Sequence, residues 1–395
     1  MEGGWRCIDR HHHCNSIYCF DQPKECCPWS GSWNFPSIST KVSSMATASS
    51  AAIRARARLD DPTTGSPGES EDPMRARGIT YDTGFTPGGR STRPVFDSDA
   101  ARRELHTIAD ELHCDAVRIT GDDPERLTIA AQHAVDTGME VWFSPFPCEL
   151  SATQMLPYFA DCATRADAVG AAVFVAGCEL SLFADGFLPG TDTFARIESF
   201  TSGDPSALDT LSDANTRINR ALGDIAATVR ERFHGKLSYA AATWEDIDWS
   251  PFDIIGIDAY GDPAHPDYSA GVRALRQQGK PIAVTEVGCC TYRGAAEHGG
   301  MGWTVVDYDA APQRVIGTPI RDEDEQVRYM RALFTLFEEE SVDTAFWHTY
   351  ASYTLPHNPD PSFDLDLASF GVCKIMPDGS LTPKNAFYAL ADICK

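Results

Sequence analysis

The chain has 395 residues, enough for one large α/β barrel or for two or three average domains, with ordinary hydrophobic (43%) and charged (23%) fractions. Its 57 Asp and Glu against 33 Lys and Arg give a formal net charge of −24. Such a surface repels nucleic acid and anionic membranes, and the absence of any long apolar run argues against a membrane span, so a neutral or cationic small molecule is the easier partner.

The first 75 residues do not have the composition of a folded domain, since almost no large apolar residues occur from Val42 to Met74. They begin with a Cys/His/Trp-rich stretch whose spacing matches no zinc-ligand pattern, and continue as a Ser-, Ala-, Arg- and Pro-rich segment. We interpret residues 1–75 as a disordered extension, or as an overlong gene model in which Met45 is the true start. No secretory signal pattern is present, which favours a cytoplasmic protein, with an organellar transit peptide as the alternative.

From residue 76 onwards, short β-rich runs alternate with helical stretches, the pattern of repeated βα units. The eight predicted strands cover residues 77–84, 115–122, 139–147, 171–181, 236–244, 253–262, 280–290 and 343–352. The predicted helices cover residues 98–113, 124–138, 151–170, 212–235, 269–279, 323–341 and 382–394. We therefore predict an α/β protein in which residues 76–395 form one (β/α)8 TIM barrel.

The rival interpretation is an open, doubly wound sheet. That fold usually places a Gly-rich turn after its first strand, where the turn opens a helix. Residues 81–90 contain glycines, but no predicted helix begins at them. The barrel is therefore the simpler interpretation.

Functional groups of such barrels lie at the carboxyl ends of the strands. The polar and aromatic residues predicted at these ends are Tyr81, Asp82, Arg118, Ser144, Glu179, Trp244, Glu245, Asp258, Tyr260, Glu286, Trp347 and His348. Glu179 and Glu286 differ from the rest because each ends a strongly apolar run, where a carboxylate without partners is costly. We select this pair as the candidate catalytic residues.

Two carboxyl groups in different surroundings can take the two catalytic roles that cleavage of a glycosidic bond requires. One protonates the leaving oxygen, and the other acts on the opposite face of the sugar ring. We expect Arg118 to hold Glu286 ionised through charge pairing. We expect burial and the charge of Glu286 to raise the pKa of Glu179 towards neutrality.

This arrangement resembles the clan of retaining glycoside hydrolases built on (β/α)8 barrels, with an acid/base Glu on strand four and a nucleophile Glu on strand seven. The resemblance covers residues 76–395 and implies that Glu179 is the acid/base and Glu286 the nucleophile. It further implies that Arg118 pairs with the nucleophile, that Tyr260 lies near it, and that Trp347 forms an aromatic platform under the sugar. The chain also resembles a subgroup of actinobacterial and fungal proteins labelled "abortive infection protein".

One residue departs from the pattern of the clan, which usually has Asn before the acid/base, where this chain has Cys178. The Asn would bind the sugar 2-hydroxyl, and a thiol is only a weak donor. Either the substrate lacks this contact, another residue supplies it, or catalysis is impaired. We assign further substrate contacts to Tyr81, Asp82, Trp244, His348 and Cys178 itself, and we expect no metal and no cofactor.

The leading hypothesis is a retaining glycosidase or transglycosidase that acts on a small saccharide or a glycosylated small molecule. A second hypothesis is a barrel that kept the pocket but lost hydrolysis and binds carbohydrate or another partner. A third is an acid/base enzyme that uses Glu179 and Glu286 on a non-sugar substrate. The sequence does not indicate the sugar, the anomer or the oligomeric state.

Overall fold

The computed structural model describes residues 73–201 and 210–395. The predicted N-terminal extension therefore lies almost entirely outside the described residues. Eight parallel strands form a closed barrel, which confirms the predicted (β/α)8 architecture. The strands are β1 (Ala76–Asp82), β2 (Ala116–Gly121), β3 (Glu140–Pro145), β4 (Val173–Cys178), β5 (Lys236–Ala242), β6 (Ile255–Asp258), β7 (Ile282–Val287) and β8 (Thr344–Trp347).

Helices connect most of these strands. They are α1 (Ser98–Asp110), α2 (Pro124–Asp136), α3 (Ala152–Val169), the single turn α4 (Leu180–Phe183), α5 (Thr193–Thr201), α6 (Leu211–Arg230), α7 (Pro266–Leu275), α8 (Glu323–Glu339) and α9 (Asn385–Ile393). The connection from β5 to β6 is short and built from turns, as the sequence predicts. No helix in the described part of the chain is long and apolar enough to cross a membrane.

Local sequence explains where the helices begin. Asp97 and Asp123 lie just before α1 and α2, and their carboxylates accept hydrogen bonds from backbone N–H groups of the first turn. Ser151 and Gln154 form a capping box at the start of α3. These polar residues satisfy donors that the helix itself leaves unpaired, so they fix the helix starts that follow β1, β2 and β3.

Side chains of the strands alternate between the barrel interior and the layer beneath the helices. Trp142 and Phe346 point inwards and meet edge to face, with ring centroids 5.0 Å apart. Their sequence neighbours Phe143 and Trp347 point outwards and belong to the larger core cluster between the barrel and its helices. The barrel is therefore a packed core, and its open end is the carboxyl end of the strands.

The alternation is interrupted at the carboxyl end of β4. Val175 and Cys178 both belong to the interior cluster although they are three residues apart, and the pairing of β4 with β5 shifts between them. Gly177 lies in this shift with a φ of +102°, a conformation that a residue with a Cβ rarely adopts. This local irregularity turns Cys178 inwards and places Glu179 at the rim.

Candidate active site

Arg118 on β2 forms the buried centre of the site. Its side chain is fully buried, with Nε donating to Ser144 Oγ at 3.0 Å. Nη1 donates to the Thr285 carbonyl oxygen at 3.0 Å and to Glu286 Oε2 at 3.1 Å. The same Nη1 lies 4.0 Å from Asp258 Oδ1. The guanidinium thus joins strands β2, β3, β6 and β7 beneath the mouth of the barrel.

Glu286 is held by groups that favour its ionised form. Tyr260 donates its hydroxyl to Glu286 Oε1 at 2.7 Å, and His348 Nδ1 lies 3.7 Å from the same oxygen. Burial alone would raise the pKa of the Glu286 carboxyl. The neighbouring His348 and Arg118, with the hydrogen bond from Tyr260, outweigh burial and lower this pKa below its usual range. Burial lowers the pKa of His348, which favours its neutral form. Arg118 is therefore the permanent positive charge beside Glu286.

Glu179 experiences the opposite electrostatic environment. Burial raises the pKa of its carboxyl well above the usual range, and the negative charges of Asp258 and Glu286 raise it further. Its backbone is in the left-handed region, with a φ of +41°, and its N–H donates to the Ala240 carbonyl oxygen at 2.9 Å. Of these two glutamates, Glu286 therefore favours the ionised form and Glu179 favours the protonated form.

Glu245 fixes the turn that follows Glu179, a function that the sequence did not suggest. It is buried after β5, and its carboxylate accepts hydrogen bonds from the Ser181 N–H at 2.9 Å and from the Tyr239 hydroxyl at 2.8 Å. The Tyr239 oxygen in turn accepts from the Leu180 N–H at 2.8 Å. This network holds the unusual backbone of Glu179 in place.

Asp258 is a second residue that sequence reasoning left without a role. It is 3% exposed, and it accepts hydrogen bonds from the Thr285 hydroxyl at 2.8 Å and from the Cys178 thiol at 3.1 Å. Burial, followed by the charge of Glu286, raises the pKa of Asp258 to about 7. The available signal was its position at the end of an apolar strand, the same pattern that selected Glu286.

Three possible metal ligands meet at this point, namely Cys178, Asp258 and Glu286, whose ligand atoms all lie within 4.8 Å of one another. The Arg118 guanidinium already supplies a positive charge 3.1 Å from Glu286 and 4.0 Å from Asp258. A metal cation among these ligands would be repelled by this fixed charge. The residues present therefore fit an arginine-centred cluster and do not fit a metal site.

The sequence predicts that Tyr81 and Trp347 contact the substrate, but their side chains point away from the barrel mouth. Tyr81 is fully buried under α1, where its hydroxyl donates to Glu104 at 2.5 Å and accepts from Arg93 at 2.9 Å. Trp347 is also fully buried, and its indole N–H donates to the Phe370 carbonyl oxygen at 3.2 Å. Both residues occupy outward positions in their strands, so neither side chain faces the pocket.

The remaining predicted contacts have different surroundings. Asp82 is 6% exposed at the end of β1, and burial raises its pKa to about 6. Trp244 packs against Phe200 of α5 and donates its indole N–H to Ser181 Oγ at 3.1 Å. His348 lies at the rim beside Glu286, with its ring against Phe370. Of these three, His348 has the position best suited to contact a ligand bound at Glu286.

The chain thus folds as a closed (β/α)8 barrel with one glutamate directly after β4 and another on β7. No protein-family model matches the sequence, and a comparison with curated proteins found no match. Solved structures with a similar fold include several glycoside hydrolases. A GH113 β-1,4-mannanase aligns with a TM-score of 0.54 at 14% identity, covering 82% of this chain and 99% of the mannanase.

Two further neighbours have the same fold. A GH113 β-mannanase from Alicyclobacillus acidocaldarius aligns with a TM-score of 0.51 at 17% identity, covering 82% of this chain and 99% of the other. A mutant β-glucosidase derived from a hyperthermophilic tetrameric structure aligns with a TM-score of 0.51 at 9% identity, covering 81% and 94%. At such identities the similarity establishes the shared fold and leaves the chemistry to be argued from the site.

Proposed function

We propose that this protein is a retaining glycoside hydrolase or transglycosidase that acts on a small saccharide or a glycosylated small molecule. The observation that carries the proposal is the contrast between the surroundings of two glutamates at one barrel mouth, since Glu286 accepts hydrogen bonds from Arg118 and Tyr260 whereas Glu179 has no such cation beside it among the described residues. Glu286 is stabilised as a carboxylate by Arg118 and Tyr260, whereas burial and neighbouring charges favour the protonated form of Glu179. These are the states that a nucleophile and a general acid require.

In the proposed reaction, Glu179 donates its proton to the glycosidic oxygen while Glu286 attacks the anomeric carbon. The bond from that carbon to the leaving oxygen breaks, and a glycosyl-enzyme ester forms. Glu179, now ionised, accepts a proton from water or from a sugar hydroxyl. That oxygen attacks the anomeric carbon and releases Glu286, so two inversions give net retention of configuration.

The net charge of the chain supports a neutral saccharide as substrate, and its free cysteines support a cytoplasmic location. A net charge of −24 suits a neutral saccharide better than nucleic acid or an anionic membrane. The eight cysteines in the described residues are free, and seven of them are buried. Free cysteines support the proposal of a reducing, cytoplasmic environment.

The test is a panel of α- and β-linked aryl glycosides with different sugars, in which the anomer of the first product is identified by proton NMR. We expect turnover of at least one glycoside with retention of configuration. A product of inverted configuration would exclude Glu286 as a nucleophile and would assign it the role of a base.

A second candidate function is carbohydrate binding without hydrolysis, and one observation favours it. Cys178 stands where the resembled clan has Asn, and its thiol donates to Asp258 rather than projecting a strong donor towards a sugar. Sugar binding without turnover across the whole panel would support this candidate over the hydrolase.

Replacing Asp258 by Asn is expected to shift the alkaline limb of the kcat/KM pH profile to lower pH, by roughly one pH unit. Asp258, with a pKa of about 7, becomes negative above neutrality, and this charge raises the pKa of Glu179. Without the charge, Glu179 loses its proton at lower pH. The acid limb should not move, because Asp258 is already neutral where Glu286 protonates.

The pH profile of the exposed variant Asp262→Asn, in the loop after β6, serves as the control. A general structural disturbance would lower kcat/KM at every pH without moving one limb. An alkaline limb that stays in place in Asp258→Asn would contradict the proposed influence of Asp258 on Glu179.

A further inference from the structure

Three loops meet above the mouth of the barrel. They are the β1 loop (residues 83–97), the described first part of the β4 loop (residues 179–201) and the β7 loop (residues 288–322). Phe194 of the β4 loop packs edge to face against Trp303 of the β7 loop, with ring centroids 6.1 Å apart. Strands β4 and β7 are not neighbours in the barrel, since β5 and β6 separate them. A contact between their loops therefore spans part of the mouth.

The β1 loop packs against the Phe194 ring of this contact. Gly88 has a φ of +54°, and a Cβ built on it would lie 2.7 Å from Phe194 Cδ2. The Phe194 ring thus rests directly on the backbone of Gly88, where no side chain fits. Arg90 extends the support to the β7 loop, because its Nη2 donates to Asp309 Oδ1 at 2.8 Å and its Nη1 donates to the Tyr308 carbonyl oxygen at 3.2 Å.

The buried Arg196 and the partly exposed Glu149 hold Phe194 in position. Arg196, on the same helix, is fully buried and donates to the Leu182 carbonyl oxygen at 2.5 Å and to Glu149. Glu149 accepts hydrogen bonds from the N–H groups of Thr193 at 2.7 Å and of Gly88 at 3.2 Å. One carboxylate therefore ties the start of α5 to the glycine on which Phe194 rests. Because the Arg196 guanidinium is buried and has several partners, this ion pair with the partly exposed Glu149 fixes the local geometry.

We propose that this loop bridge (Gly88, Arg90, Phe194, Trp303 and Asp309) makes the site a pocket with one closed end. Such a pocket admits the terminal sugar of a short glycoside and excludes internal segments of a polysaccharide. An internal segment needs a groove that is open on both sides of the cleaved bond. The bridge joins the loops that follow Glu179 and Glu286, so in this proposal it blocks one of those sides. The inference rests on the proposed function, because it specifies the substrate class of the same site.

Binding measurements test the inference separately from catalysis. The probes are non-hydrolysable aryl thioglycosides with one sugar, and unmodified tetra- to hexasaccharides, in gluco, manno and galacto series. We expect the wild-type protein to bind at least one thioglycoside and to bind the matching longer saccharides at least tenfold more weakly. Phe194→Ala should improve the affinity for the longer saccharides about tenfold and leave that for the thioglycoside unchanged.

Phe194 is 39% exposed, so its truncation should leave the fold intact. Tyr388→Ala is the matched control, since Tyr388 is an aromatic residue of α9 that is 60% exposed, and it should change neither affinity. Arg90→Ala removes the other link of the bridge and should act in the same direction as Phe194→Ala.

Several outcomes would overturn the inference. Equal affinity of the wild-type protein for short and long saccharides would do so, as would an unchanged length preference in Phe194→Ala, or no binding of any probe. Cleavage within polysaccharide chains, seen as a fall in viscosity ahead of the release of small sugars, would also overturn it while supporting the hydrolase. Thioglycoside binding by a protein that turns over no aryl glycoside would instead reject the hydrolase and leave the bridge in place.

Discussion

Glu286→Ala is expected to reduce the turnover of even activated aryl glycosides by at least about 10⁴-fold, the scale of loss when a nucleophile is removed. No glycosyl-enzyme can form without this carboxylate, and a better leaving group cannot compensate for its absence. Initial rates on a dinitrophenyl glycoside, compared with wild type at matched enzyme concentration, measure the effect. The space left by the side chain should let added azide attack the same face of the sugar and give a glycosyl azide of inverted configuration.

Two controls separate loss of chemistry from loss of fold. Glu286→Gln keeps the shape of the side chain and its hydrogen bond to Arg118, so it should be as inactive as the alanine variant with a smaller change in melting temperature. Glu339→Ala removes an exposed carboxylate of α8 and should leave activity unchanged. Wild-type activity in either Glu286 variant would end the glycosidase interpretation.

The loss of activity in Glu179→Ala is expected to depend on the leaving group of the substrate. Glycosides with poor leaving groups, which need a proton, should lose about 10²–10⁴-fold in kcat/KM. With a dinitrophenyl leaving group the glycosyl-enzyme should still form and then accumulate, because no base remains to activate water. Added azide needs no base, and it should restore turnover and give a glycosyl azide of retained configuration. Mass spectrometry of the trapped enzyme and NMR of the azide product measure the two results.

The pH profile offers an independent check on the same variant. If the proposed roles hold, the acid limb of the wild-type profile should reflect protonation of Glu286, whose pKa is lowered, and the alkaline limb should reflect loss of the proton from Glu179, whose pKa is raised. Activity should therefore be flat between the two pKa values and fall on either side. In Glu179→Ala only the alkaline limb should disappear. Equal losses for all leaving groups, with no azide rescue, would count against these roles.

The sequence by itself was sufficient to predict the barrel and the strands that carry its reactive groups. Apolar runs of strand length, separated by capped helices, leave little choice of architecture, because each βα unit buries its apolar face only when it packs beside the next. The ends of these runs also selected Glu179 and Glu286, and the resemblance to the glycoside hydrolase clan implied that Arg118 and Tyr260 lie beside Glu286. The structure places Arg118 and Tyr260 within hydrogen-bond distance of Glu286. Burying a carboxylate at the end of an apolar strand costs free energy unless it has partners, so its position alone indicates a candidate site.

The direction of each side chain was decided only by the tertiary structure. Tyr81 and Trp347 lie at strand ends, as predicted. Because successive side chains of a strand alternate between its two faces, both point outwards and are buried under the helices. The shift at Gly177 reverses the alternation on β4 and turns Cys178 towards Asp258, a contact between residues 80 positions apart. The loop bridge between Phe194 and Trp303 likewise joins segments that are distant in the sequence. Strand periodicity and apolar burial are local properties that a sequence displays, whereas strand register and loop contacts depend on how remote segments pack, which no local pattern encodes.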